Sequence, residues 1–204
     1  MNMKRFILTL PICAFLALAF TASTAEAKRK VKNWPCESSL TEDISAEAVW
    51  SPPPALDPSW QEDEGVRTVV QYAVNPENPP SGGRDAIAEY AATLGPDKDK
   101  KLVQIFTGIL EEMNTFHDII VAGIRNFIIK AKVLESMVEE NDAELNDPNV
   151  DEKRKADVKE ARFWNFANMD DAEEEAEFLC TRYDYVEKKL SKLTEQIRSE
   201  MTNK

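Results

Sequence analysis

Along two long stretches of the chain, apolar residues recur in steps of three and four. The first series runs Leu102, Phe106, Ile109, Met113, Phe116, Ile120, Ile124, Phe127, Ala131, Leu134 and Val138. The second runs Met169, Ala172, Ala176, Leu179, Tyr183, Val186, Leu190, Leu193 and Ile197. Such spacing keeps one face of an α-helix apolar over many turns, so each segment needs a helical partner. A stutter at Ile120–Ile124 interrupts the first seam. Between the two, "ELNDPNVDE" offers Asn146 to stop one helix and Asp147-Pro148 to cap and start the next, with Asp151 and Glu152 in its early turns. A connection this short makes the helices antiparallel neighbours, each of roughly fifty residues and about 75 Å long. A turn centred near Asp147 places Ala172 and Ala176 opposite Ile119, Ile120 and Ile124, small against large. The same register sets Cys180 level with Thr115 to His117.

Upstream the pattern changes. Asp57-Pro58 resembles an N-cap with proline at the first helical position, and a helix from Pro58 to Ala73 gathers Val66, Val69, Val70 and Ala73 on one face. "NPENPPSGG" ends it, and a second short helix spans Arg84 to Leu94, with Gly95 as its stop. Residues 28–57 lack helical period and hold Pro35, Pro52-Pro53-Pro54 and flanking Pro58, which favours an extended strap. Disordered linkers are poor in large aromatics, so Trp34, Trp50 and Trp60 point to a strap with its indoles buried in grooves of the helical body. The segment Ile119 to Ala131 is apolar nearly all round and requires a second cover, which the strap and the short helices can supply. The expected fold is therefore all-α. A long, coiled-coil-like antiparallel hairpin over 96–204 forms one domain with the short helices of 58–95, and the strap lies along it.

Residues 1–27 follow another grammar. Lys4 and Arg5 precede an apolar run from Phe6 to Phe20, and small residues end in Ala25-Glu26-Ala27, the order of a cleaved secretory signal. Pro11 interrupts a run already short for a membrane span of about 30 Å. Ile12 is too bulky for the small-residue site that a lipid-anchored Cys13 would need. Cleavage after Ala27 leaves no transmembrane segment in the mature chain and places it in the periplasm.

Export changes the meaning of the cysteines. Cys36 and Cys180 remain in an oxidising compartment, where an even count reads as a disulfide and only one intramolecular pairing exists. An intermolecular bridge, a redox pair or a metal site is the competing reading. The net charge is −12 at pH 7, and loss of Lys4, Arg5 and Glu26 with the leader makes it one unit more negative. Nucleic acid is disfavoured as a partner, because binding it begins with neutralising phosphates. Lys28, Arg29, Lys30 and Lys32 make the mature N-terminus locally basic, which reads as a solvated tail.

Candidate chemistry is sparse. His117 is the only histidine, and "NTFHDII" around it contains no nucleophile elbow or Gly-rich turn. Together Cys36, Cys180 and His117 could bind copper or zinc if both thiols were free. A di-iron bundle needs Glu-x-x-His, but Asn114 stands three residues before His117. A calcium loop counted from Asp97 puts Gly108 where glutamate belongs. The cluster Asp170, Asp171, Glu173, Glu174, Glu175 and Glu177 reads as a solvated helix face.

Trp34-Pro35-Cys36, followed by Ile44-Ser45, Val49-Trp50 and the Pro-rich run, resembles the start of uncharacterised exported proteins of Gram-negative bacteria. The likeness covers only the first part of the mature chain and brings neither function nor site residues with it. The expected role is non-enzymatic and without cofactor: an adaptor or chaperone-like protein that binds an exported or envelope partner, or itself, through the hairpin. The alternative is a metal or redox accessory protein using Cys36, Cys180 and His117.

Overall fold

The computed structural model describes residues 34–202, and within them the chain is helical with no strand. The expected leader and the basic residues 28–32 lie outside the described residues. Five α-helices follow in order: α1 Ala46–Val49, α2 Glu64–Val74, α3 Pro80–Thr93, α4 Lys98–Leu145 and α5 Glu152–Glu200. The antiparallel hairpin of α4 and α5 dominates, each helix running about 70 Å at 1.5 Å per residue. Helices α2 and α3 pack on its root, away from the α4–α5 turn.

Side-chain caps start α1, α2 and α5, and three helix starts lie elsewhere than the sequence predicts. Helix α5 is capped by Asp151, whose carboxylate accepts from Arg154 N, rather than by Asp147. Asp147 instead closes the turn itself, accepting from the backbone N–H of Asn149 at 2.8 Å. The single helix expected over Pro58 to Ala73 is two pieces. A 3₁₀ turn, Pro58–Glu62, is capped by Asp57, and Asp63 then caps α2 by accepting from Val66 N. Helix α3 begins at Pro80, four residues before Arg84, and runs through Gly82-Gly83. A β-carbon on Gly83 would lie 3.2 Å from the Ala73 Cα and 2.8 Å from Leu193, so this glycine permits close helix approach rather than breaking a helix. Gly95 is no left-handed stop, since none of the described glycines has positive φ. Extended backbone at Leu94 ends α3 instead, just ahead of Gly95-Pro96.

At the root, Trp60, Val66, Val70, Ile87, Phe106 and Leu193 meet in one core. The Trp60 indole lies directly on Gly108, where an added β-carbon would come within 2.7 Å of the ring. In the second apolar seam Ala172, Ala176, Tyr183, Val186, Leu190, Leu193 and Ile197 are buried, and Met169 and Leu179 partly so. In the first seam, the middle is shifted by one position. His117 and Val121 are buried, whereas Phe116 and Ile120 are only partly so. The hairpin register also differs from a turn centred on Asp147. Tyr183 stacks on His117, Leu179 meets Gly123, and Arg162 pairs with Asp142. Cys180 thus falls beside Val121 rather than Thr115 to His117, and Ala172 and Ala176 face Phe127, Ile128 and Ala131. The displaced centre follows from a connection that continues to Asp151 before α5 starts.

Candidate functional site

The strap is the first constellation that ties distant parts together. Cys36 and Cys180 form a disulfide, with S–S 2.07 Å and 144 residues between them. Around it Trp34 packs edge-on to Tyr183, with centroids 5.5 Å apart. Tyr183 is wholly buried, yet its hydroxyl is satisfied by the strap: it accepts from Thr41 N at 2.9 Å and donates to Ser39 O at 3.1 Å. Burial pushes the phenol pKa up, with the hydrogen bond from Thr41 acting against it. Farther along, Asn114 bonds both backbone groups of Ile44. Trp50 packs edge-on against Phe106, and Trp60 donates to Glu111. Of the three strap-region indoles only Trp60 is fully buried; Trp34 and Trp50 are half-covered. The strap is not wholly extended either, because Ser45 caps the single turn of α1.

His117 is completely buried on the α5-facing side of α4. Its ring centroid is 5.0 Å from that of Tyr183, and neither ring nitrogen has a hydrogen-bond partner among the described residues. Asp118 Oδ1 stands 3.7 Å from Nδ1, too far for a hydrogen bond. With both sulfurs bonded to each other, the Cys36/Cys180/His117 set contains no thiolate ligand. Among the described residues no group of three or more His, Cys, Asp or Glu side chains is placed to hold a metal ion.

Cover of the apolar belt is incomplete. The strap buries Val121 and Ile124 through Trp34 and Leu40, but Ile119 and Ile129 of the same belt remain exposed. Beyond the reach of Trp34, which lies beside Ile128 and Ala131, more apolar surface is open. Val133 and Met137 on α4 are exposed, as are Phe163, Trp164 and Phe166 on α5 at 62%, 57% and 50%. Phe163 and Trp164 stack edge-to-face at 5.2 Å. These arms are held to each other largely by polar pairs: Arg154 takes both oxygens of Glu144, Arg162 pairs with Asp142, and Asn165 donates to Asn141. Val158 is the buried apolar residue nearest the turn. Sequence periodicity found the seam but not this surface, because Phe163, Trp164 and Phe166 lie off the series that defines the apolar face.

No helix among the described residues is long and apolar enough to cross a membrane. Comparison with known families, characterised proteins and solved structures finds no match to this chain.

Proposed function

We propose that this is a non-enzymatic periplasmic interaction protein, an adaptor or chaperone-like factor that binds through the distal arms of its hairpin. The reading is carried by the exposed aromatics Phe163, Trp164 and Phe166 on arms whose mutual contacts are mainly polar. Large apolar side chains left open to water favour association, and aromatic residues dominate the energetics of such contacts. The acidic surface around the arms keeps the free protein soluble and steers encounter. Export, inferred from residues 1–27, makes the natural partner another exported or envelope protein, or a second copy.

The test is substitution on the exposed face, where folding is indifferent. Trp164→Glu with Phe166→Glu is expected to abolish both self-association in sedimentation and the suppression of aggregation of a thermally unfolding client protein, with the melting temperature unchanged. Full retention of both by the double variant places binding elsewhere and ends the proposal. In the alternative, a metal accessory protein needs two free thiols, and a redox one a Cys36–Cys180 pair that cycles between dithiol and disulfide. Thiol counting and metal analysis of the unreduced exported protein separate the two readings.

A further inference from the structure

An apolar groove of about 300 Å³ opens where the end of α2 meets the middle of α4 and α5. Met113, Phe116 and Ile120 form one wall, and Phe178, Leu179 and Val186 the other. Its only charged lining residues are the cations Arg182 and Lys189. They lie on one stripe of α5 with Phe178 and Tyr185, in steps of four, three and four.

In a chain with 37 acids and 25 bases, this apolar groove has no acid in its lining and two cations. Neither belongs to any ion pair among the described residues. The Arg182 guanidinium is exposed and sits 5.6 Å from the centroid of the Phe178 ring. Lys189 is buried; its ammonium donates to Asn75 O at 2.6 Å and Asn78 O at 2.9 Å and lies 5.8 Å from the Tyr185 centroid. Burial without a counter-ion pushes its pKa down. Ile119 and Phe178, both exposed, leave the mouth of the groove open.

We propose that this groove binds a single-chain anionic amphiphile, a long-chain carboxylate whose alkyl chain lies between α4 and α5 and whose headgroup meets Arg182, within the positive field of Lys189. The volume favours a small ligand: it stands at the lower end of the range of about 300–1,000 Å³ for such pockets, and a helix about 10 Å across is too broad for it. Charge decides the headgroup, since two cations without carboxylate partners at the margin of an apolar wall complement an anion joined to a hydrocarbon. The groove shares no residue with the exposed aromatics of the distal arms.

The test is calorimetric titration of the mature protein, disulfide intact, with sodium myristate below its micellar concentration. One-to-one binding is expected, weakening about three- to fourfold for each methylene removed from the chain. Arg182→Glu should weaken the carboxylate by about tenfold or more while leaving the alcohol of the same chain length within about twofold of wild type. Lys189→Met should also weaken it, but Lys189 holds the α2–α3 connection as well, so the exposed Arg182 variant is the decisive one. Three results overturn the proposal: no saturable binding of myristate, binding indifferent to Arg182→Glu, or a dimer that closes the groove and dissociates on Phe178→Glu.

Discussion

Asn114 holds Ile44 by both of its backbone polar groups. The side-chain oxygen accepts from Ile44 N at 2.9 Å, and the side-chain nitrogen donates to Ile44 O at 3.0 Å. An amide does for the strap what a neighbouring strand would do: it satisfies a buried N–H and C=O together at a point where the strap has no regular structure of its own. Ile44 is thereby fixed with its side chain in the root core.

Asn114→Leu should therefore be costly even though leucine suits the surroundings. It strands two backbone groups, at about 1–3 kcal/mol for each that stays dry. Asn114→Asp isolates the donor, because an ionised carboxylate still accepts from Ile44 N but repels Ile44 O. Its destabilisation in urea unfolding is expected to be largest at neutral pH and to shrink in acid, where the protonated acid can donate again. Equal loss at pH 7 and pH 3 would contradict the two-bond clamp.

Cys36 and Cys180 secure the same strap at its start. Removing a native disulfide that closes so long a loop is expected to cost about 2–5 kcal/mol. Cys180→Ser should lower the melting temperature and open the region before Ile44 to proteases. Most helical signal in circular dichroism should remain, because the α4–α5 seam and the Asn114 clamp do not need the bridge. A free thiol at either position of the oxidised wild type would refute the pairing in solution.

The disulfide is legible from the even count of cysteines outside the expected leader, and the hairpin from heptad spacing. What the spacing could not give was the side on which a third layer lies. Once the strap covers Val121 and Ile124, the buried line passes through His117 instead of Phe116, a rotation invisible to a two-helix reading. Caps were misplaced for a related reason. Asp57, Asp63, Asp147 and Asp151 are all chemically able to cap, and a following proline makes Asp57 and Asp147 the stronger sequence signals, while α2 and α5 use Asp63 and Asp151. Arg182 and Lys189 carry no sequence signal at all, since which cations lack a carboxylate is a property of packing alone.

Asp63 joins a cap to an ion pair and gives stability a pH signature. It accepts from Val66 N at 2.9 Å and takes the ammonium of Lys101. The hydrogen bond from Lys101, then that from Val66, holds its pKa below the ordinary aspartate value, and the same contact raises that of Lys101. The depressed acid contributes stability above its unfolded value of about 3.9, and this is lost as pH falls through the folded value. The raised lysine contributes fully below about 10.4 and loses it as pH rises through its folded value. Asp63→Ala should cost about 0.5–2 kcal/mol at pH 7. Asp63→Asn keeps a good cap and should cost less than about 1 kcal/mol, the worth of a part-exposed pair. Both should flatten the acid limb of the stability curve, and a curve unchanged by either variant would show that the pair is not formed in solution.

His117 offers the opposite experiment, in which removing a polar group is expected to help. Its two nitrogens are buried without partners, a cost of about 1–3 kcal/mol for an unsatisfied group. Leucine matches the imidazole closely enough in volume to fill the space beneath Tyr183 and strands no partner among the described residues. The loss is the ring contact with Tyr183, worth about 0.5–1.5 kcal/mol at most. His117→Leu is therefore expected to leave stability unchanged or raise it by about 1 kcal/mol, read as a higher urea midpoint with the same slope. His117→Ala, which opens a cavity at the same place, should destabilise by about 2 kcal/mol or more. If leucine instead lowers the midpoint as much as alanine does, the imidazole has a partner in solution, such as an ordered water or a bound ion, and His117 is a working polar group rather than a filler of the seam.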